Sequence, residues 1–92
     1  MIKSFKHKGL EKFFTTGSTA GIQKKHEVRL NDQLTALHTA CKVSDMNLPG
    51  WKLHSLKGDK QELHSISVSG NWRLTFRFED GDAYVVNYED YH

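Results

Sequence analysis

The stretch from His64 to Tyr84, HSISVSGNWRLTFRFEDGDAY, decides the fold class of this chain. Apolar and polar residues alternate along it with the period of two that is typical of a β-strand with one covered face. The dipeptides Gly70-Asn71 and Asp80-Gly81 interrupt the alternation and have the residue types of two-residue hairpin turns. The sequence therefore predicts antiparallel strands. One face is expected to carry His64, Ile66, Val68, Trp72, Leu74, Phe76 and Phe78, and the other Ser65, Ser67, Ser69, Arg73, Thr75 and Arg77, the latter open to solvent.

The predicted sheet extends beyond this stretch in both directions. A last strand runs from Ala83 to about Tyr91, and an earlier one begins with the alternating residues Trp51–His54. The Lys57–Asp59 segment supplies the turn between that strand and His64, while Asn47–Gly50 marks the point where strand periodicity starts. We expect a meander of about four strands.

The first half of the chain has helical periodicity instead. Leu10, Phe13 and Phe14 share one helix face, and a second helix is expected from about Gln23 to Lys42. Ile2–Phe5 is long enough for a short strand. The two helices are the available cover for the apolar sheet face, so the sequence predicts a single α+β domain over residues 1–92. The stripe expected to face the core in the second helix is Leu30, Leu34, Leu37 and Cys41.

Composition limits the classes of function. Lys and Arg number 13 against 11 Asp and Glu, which gives a net charge of +2 and only weak support for a nucleic-acid partner. Cys41 is the single cysteine, so no internal disulfide forms and a reducing cytoplasm is expected. The sequence has no apolar run of secretory or membrane-spanning type. A chain of this size buries about 60–65% of its unfolded surface, which favours a shallow site over a deep cavity.

Basic residues and histidines recur on the predicted strands. Lys52 and His54 share one parity, and Arg73 and Arg77 share another, so together they would form a basic, His-containing surface if both pairs lie on the same sheet face. His7, His26 and His38 are expected on the surface of the helical half. A metal site is not expected, because no HxxxH or CxxC spacing occurs, and no GxSxG motif supports a serine nucleophile.

Ordered motifs across the whole chain resemble one toxin family. These are the opening Met1–Leu10, Lys52-Leu53-His54-x-Leu56-Lys57-Gly58-Asp59, Ser65-Ile66, Asn71-Trp72-Arg73, Gly81-Asp82-Ala83-Tyr84 and Asn87-Tyr88-Glu89-Asp90-Tyr91-His92. Together they resemble the HigB toxins of the RelE/ParE superfamily, whose fold is similar to that of microbial ribonucleases.

The resemblance implies a toxin that enters the ribosomal A site, cleaves mRNA there without a cofactor, and is neutralised by a helix-turn-helix antitoxin of the HigA type. Operator DNA would be bound only through that antitoxin. The catalytic residues that the resemblance implies are His54, Asp90, Tyr91 and His92, with Lys57 and Arg73 as supporting cations, and the RNA-binding residues expected on the sheet surface are Lys52, Lys57, Arg73 and Arg77.

These residue types suit metal-independent RNA cleavage. The 2′-hydroxyl can attack the adjacent phosphorus if a base removes its proton, an acid protonates the leaving 5′-oxygen, and cations stabilise the charged transition state. Histidine titrates near neutral pH, so His54 and His92 are the candidates for base and acid, in either order. Tyr91 can position the phosphate, exchange a proton or stack on a base, and Asp90 can orient a histidine or shape the last strand.

Two other classes of function use a similar scaffold. A ParE-like toxin would bind and block DNA gyrase without cutting RNA, and a silent binding protein would do no chemistry. Neither has a use for two histidines, a tyrosine and an arginine at the sheet surface, so we favour the ribonuclease.

Overall fold

The computed structural model describes residues 1–56 and 62–91 of the chain. Two α-helices precede four β-strands, which confirms the predicted α+β class. The helices are α1 (Lys8–Thr16) and α2 (Glu27–Thr39), and the strands are β1 (His54–Leu56), β2 (Leu63–Ser69), β3 (Trp72–Glu79) and β4 (Asp82–Asp90). Short 3₁₀ turns cover Lys24–His26 and Val43–Met46.

The strands form one antiparallel sheet in the order β1-β2-β3-β4, which confirms the predicted meander. Both predicted hairpin turns are present, at Gly70-Asn71 and at Asp80-Gly81. Asp80 and Gly81 both have positive φ, 52° and 84°, as a type I′ turn requires. The predicted turn at Lys57–Asp59 lies outside the described residues.

One face of the sheet is covered by the helical half of the chain. Leu30, Leu34 and Leu37 of α2 are fully buried, and Ile66, Leu74 and Phe76 of the strands belong to the same core cluster, as do Leu10 and Phe13 of α1. The predicted packing of two amphipathic helices on the apolar sheet face is therefore confirmed.

The second helix is shorter than predicted, and the prediction for Cys41 is wrong. The helix ends at Thr39 because Ala40 takes an extended conformation, with φ −63° and ψ 138°. Cys41 consequently leaves the apolar stripe and is exposed. Its backbone N–H donates to the Asp45 carboxylate (2.9 Å), and that bond, together with one from the Lys42 N–H, lowers the pKa of Asp45.

The N-terminal segment lies along β4 and holds a bulge there. Isolated parallel bridges pair Ile2 with Ala83 and Phe5 with Val86, close to the short strand predicted. Between its pairs with Arg77 and Thr75, β4 contains one residue more than β3, at Val85–Val86. Val85 has φ 48°, and its N–H donates to Ser4 Oγ (2.9 Å), while the Val86 N–H donates to the Ser4 carbonyl (3.1 Å).

The sheet face opposite the helices is the open face. Directly paired residues on neighbouring strands lie side by side on this face. The register pairs His54 with Ser65, Ser65 with Thr75, and Arg73 with Glu89. The expectation that this face is simply solvated is wrong at its centre, because Ser65 and Thr75 are 0% and 4% exposed. The Arg73 guanidinium lies against this centre, since its Nη1 donates to Ser65 Oγ (3.1 Å).

Candidate active site

His54 opens β1 and lies on the open face. It is exposed, and its register partner Ser65 belongs to the same row as Thr75 of β3. The His54 Nδ1 atom lies 2.6 Å from the Lys52 carbonyl oxygen. A carbonyl can only accept, so Nδ1 carries the hydrogen and donates it. In the neutral imidazole the lone pair is therefore on Nε2, which leaves that atom available to accept a proton.

Arg73 lies on the same face of β3, which confirms that the predicted histidine and arginine share a surface. Its Nη1 donates to Ser65 Oγ (3.1 Å), and its guanidinium carbon lies 5.9 Å from the centre of the Tyr91 ring. Ser65 is fully buried, so this contact fixes the arginine from below. The geometry holds a planar cation between Ser65 of β2 and Tyr91 at the end of β4.

Tyr91 follows β4 directly and completes the cluster from the C-terminal side. The Tyr91 N–H donates to the Asn71 carbonyl (2.8 Å), which ties the end of the chain to the β2–β3 turn. Partial burial, and then the negative charge of Glu89, raise the pKa of the Tyr91 hydroxyl above its ordinary value of 10.0. A hydrogen bond from the phenol to the Glu89 side chain acts in the same direction, so the phenol keeps its proton at neutral pH.

Asp90 is placed differently from His54, Arg73 and Tyr91. Its register partner is Trp72, whose ring packs on the helix-covered side of the sheet. The charge of Asp90 contributes to a raised pKa of Tyr88, whose largest cause is burial. Asp90 is exposed at the last position of β4 and thus lies at the margin of the sheet, on the side away from Arg73.

The remaining predicted site residues divide into two groups. Lys57 and His92 lie outside the described residues. Lys52 precedes β1 with a positive φ of 49°, so strand parity does not set its direction, although its carbonyl accepts the His54 hydrogen bond. Arg77 lies on the open face four residues beyond Arg73, where its guanidinium packs over the ring of Tyr84.

Sequence reasoning did not single out Ser65 and Glu89 as part of the site. Ser65 looked like one of several alternating serines, and only the strand register shows that its hydroxyl accepts from Arg73. Glu89 is the register partner of Arg73 and also acts on Tyr91. Cross-strand partners can be predicted by counting residues outward from the Asp80-Gly81 turn on both strands. The bulge in β4 shifts the pairing beyond it by one residue, so this count gives the wrong partner for Arg73.

The surface placement predicted for the other histidines is wrong for His26. Its ring is 3% exposed, and Nδ1 is hydrogen-bonded to the Tyr88 hydroxyl (2.6 Å). Burial, and then the positive charge of Lys25, lower the pKa of His26. His7 is half-buried and caps α1 by accepting from the Leu10 N–H, and His38 accepts from the Ile2 N–H. These three histidines stabilise the fold and lie away from the open face.

Over residues 1–56 and 62–91, no three histidine, cysteine, aspartate or glutamate side chains converge into a group that could hold a metal ion. None of the described helices has the length and apolar character needed to cross a membrane.

Comparisons with known proteins show the family of the chain. Residues 3–92 match the family model described as the RelE-like toxin of type II toxin–antitoxin system HigB. A curated protein from Proteus vulgaris, named Endoribonuclease HigB, is 52% identical over 92 residues, and the alignment covers 100% of both chains. The matched residues, 3–92, include the open face and the C-terminal strand. The chain therefore belongs to the HigB family of RelE-like toxins, the toxic component of type II toxin–antitoxin systems.

Proposed function

We propose that this protein is an mRNA endoribonuclease that cuts in the ribosomal A site and so stops translation. The observation that carries the proposal is the placement of His54, Arg73 and Tyr91 on one open face, where the arginine contacts Tyr91 and Ser65, the register partner of His54. A base, a phosphate-binding cation and a protonated hydroxyl are the groups that cleavage by the 2′-hydroxyl requires. The name of the Proteus vulgaris relative supports the endoribonuclease activity.

His54 is the proposed general base. The hydrogen bond from Nδ1 to the Lys52 carbonyl fixes both the tautomer and the ring plane, so that Nε2 receives the proton of the 2′-hydroxyl. The histidine is exposed, which lets an RNA strand reach it without a change in the fold. General base catalysis of this kind contributes roughly 10²–10⁴-fold to a rate.

Arg73 is the proposed phosphate ligand. Its Nη1 is already committed to Ser65, and the ring of Tyr91 restricts the guanidinium on another side, so the remaining N–H groups have a fixed direction. Such a preset cation stabilises the charge that builds up on the phosphoryl oxygens in the transition state. Lys57 and Lys52 add positive charge for the RNA backbone.

The proposed acid is His92, whose protonated form can donate to the leaving 5′-oxygen. The raised pKa makes the Tyr91 hydroxyl a weaker acid, so its proposed role is to position the phosphate by hydrogen bonding. Asp90 is paired with Trp72 on the helix-covered side, so its proposed role is to shape the end of β4 and thereby position Tyr91 and His92.

The proposed reaction is a transesterification. The 2′-oxygen forms a bond to the adjacent phosphorus while His54 accepts the hydroxyl proton, and the bond from phosphorus to the 5′-oxygen of the next nucleotide breaks as the acid protonates that oxygen. The products are a 2′,3′-cyclic phosphate and a free 5′-hydroxyl, and no oxidant or cofactor is consumed.

The open face also supports dependence on the ribosome. The site lies on an uncovered sheet surface, so the protein holds a bound strand from one side only. Full positioning of reactants accounts for roughly 7–11 kcal/mol of a barrier. The ribosome supplies the missing positioning by holding the mRNA of the A-site codon in a fixed path.

A toxin of this family has an antitoxin as its partner. We propose that the antitoxin is a small helix-turn-helix protein of the HigA type, and that the pair binds operator DNA through the antitoxin. With a net charge of +2, the toxin has little attraction of its own for a duplex. A ribosomal target places the toxin in the cytoplasm.

The test compares programmed ribosomes that have an empty A site with the same mRNA free in solution. The parent protein is expected to cut within the A-site codon on ribosomes and to cut naked mRNA slowly or not at all. His54→Ala and Arg73→Ala should lose cleavage, whereas Lys24→Gln, an exposed change on the helical side, should retain it. A chelator arm, with Mg²⁺ kept at the level that ribosomes need, should leave the rate unchanged.

Three results would contradict parts of the proposal. Equal rates and equal cut positions on both substrates would indicate a general ribonuclease. Full activity of His54→Ala would exclude the assigned base. No RNA cleavage by the parent protein, together with blocked DNA gyrase, would favour the ParE-like alternative.

A further inference from the structure

Arg77 and Tyr84 form a second aromatic and cationic pair on the open face. They are register partners on β3 and β4, and the guanidinium carbon of Arg77 lies 5.0 Å from the centre of the Tyr84 ring. The Glu79 carboxylate lies 3.7 Å from Arg77 Nε, and the arginine side chain is 26% exposed. The pair resembles that of Arg73 and Tyr91 in its components, but nothing in the proposed cleavage uses it.

The pair is not optimised for stability. Arg77 Nε is buried and has no acceptor within hydrogen-bond distance among the described residues; the Glu79 carboxylate, its ion-pair partner, lies 3.7 Å away on an exposed side chain. Buried donors in folded proteins almost always have a partner, and leaving one unsatisfied costs roughly 1–3 kcal/mol. An apolar residue would pack on Tyr84 without that cost. An arginine at this position therefore has a cost in stability that a ligand for its N–H groups would offset.

The distance from Arg73 defines what this cation can reach. Four residues of an extended strand separate the two arginines by about 13 Å. Consecutive phosphates along one strand of a stacked helix are separated by about 3.4 Å along the axis. Arg77 therefore cannot share the phosphate that Arg73 holds, and it meets a strand lying on the open face at least one nucleotide away.

The geometry of the pair suits RNA in two ways. The Tyr84 ring lies against the Arg77 guanidinium, whose side chain is 26% exposed, and unpaired RNA bases commonly stack on arginine planes. Free N–H groups at the edge of the same plane can donate to a phosphate. Glu79 reduces the net charge here, so the contact depends on stacking more than on general attraction to polyanions.

We propose that Arg77 and Tyr84 form an accessory subsite for single-stranded RNA, which binds a nucleotide outside the bond that is cut. The inference rests on the proposed function, because it assumes that an RNA strand crosses the open face at Arg73. The nucleotide belongs to the mRNA on the 3′ side of the A-site codon, since the codon on the 5′ side is paired with the P-site tRNA. The subsite holds substrate and takes no part in proton transfer.

The experiment measures cleavage on programmed ribosomes for the parent, Arg77→Gln, Arg77→Lys, Tyr84→Leu and the control Lys24→Gln. On long mRNA, Arg77→Gln is expected to raise KM about ten-fold, since stacking of one base on a side chain contributes on this order. The value of kcat and the cut position should change little. Arg77→Lys keeps the charge without the plane and should retain most of the defect. Tyr84→Leu should fall in between, and Lys24→Gln should match the parent.

A second series uses mRNAs that end at the last nucleotide of the A-site codon. Without a nucleotide for the subsite, the parent and Arg77→Gln should have the same KM. A defect that persists on the shortened mRNA would mean that Arg77 contacts ribosomal RNA, and it would overturn the subsite for mRNA. Equal KM values for all variants on long mRNA would also overturn it.

Thermal unfolding of each variant separates a folding defect from a binding defect. If Arg77→Gln fails to fold, Arg77→Lys and Tyr84→Leu decide the question in the same assay. Absence of cleavage by the parent itself would instead contradict the proposed function, and the subsite would fall with it.

Discussion

Replacing Tyr88 with Phe removes one hydroxyl from the interior and tests the packing behind the active site. The hydroxyl is hydrogen-bonded to His26 Nδ1 (2.6 Å), and the two residues are 4% and 3% exposed. The ring stacks on Trp72, with centroids 4.5 Å apart, and that contact survives the change. The substitution therefore isolates the cost of leaving His26 Nδ1 without a partner where water cannot replace it.

The expected loss of stability follows from that geometry. A buried polar atom that loses its partner costs about 1–3 kcal/mol, so about 2 kcal/mol is expected here. For a domain of 60–100 residues, each kcal/mol corresponds to roughly 4–8 °C in Tm, which gives a decrease of about 8–16 °C. The Gln23 N–H, which also points at the hydroxyl from 3.4 Å, is on an exposed residue and can turn to water instead.

Thermal unfolding followed by circular dichroism measures the effect, with Tyr84→Phe as the matched control. The structure gives the Tyr84 hydroxyl no buried partner among the described residues, so the control should remain within about 0.5 kcal/mol of the parent. A Tm for Tyr88→Phe within about 2 °C of the parent would refute the reasoning, because it would mean that His26 finds another partner.

Three further predictions concern pH, the phosphate ligand and a close backbone contact. Because burial and Lys25 lower the pKa of His26 below 6.5, the unfolded chain binds a proton before the folded one does; stability should decrease as the pH falls below 6.5, and urea unfolding of His26→Gln should show a weaker decrease over the same range. Arg73→Ala should reduce the single-turnover rate on ribosomes by about 10²–10³-fold, with Arg73→Lys in between, and an unchanged rate for either would remove Arg73 from the site. A Cβ at Gly9 would lie 2.6 Å from the Gly21 carbonyl oxygen, so Gly9→Ala should cost about 1–3 kcal/mol in urea unfolding, whereas an unaffected midpoint would show that the two segments separate easily.

The strands were predictable because their signals are local. The turn at Asp80-Gly81 needs two residues that accept positive φ, and the alternation on either side fixes which side chains face the helices. The same alternation predicted that His54 and Arg73 could share one face of the sheet, and the register confirms that they do. The end of α2 was not predictable in this way, because Ala40 suits a helix and only its extended conformation in the fold takes Cys41 out of the core.

The burial of His26 depends on partners far away in the sequence. A histidine beside two lysines reads as a surface residue, but Tyr88 and Trp72 arrive from the sheet and enclose its ring. Ser65 is a similar case, since the alternating serines do not distinguish the one that accepts from Arg73. In both places the tertiary packing supplies information that local periodicity does not contain.

The extra residue in β4 determines which residues at the C-terminal end of the strand lie on the open face. Counted from the Glu79–Asp82 pair without the bulge, Arg73 would face Tyr88; with the bulge it faces Glu89, and Tyr91 comes to the same side. Deleting one residue at Val85 would thus exchange the two faces of the strand end and remove the phenol from Arg73 while every side chain kept its identity. Ser4 accepts hydrogen bonds from the backbone of both bulge residues. The N-terminal segment therefore helps to fix the register in which the end of β4 pairs with β3.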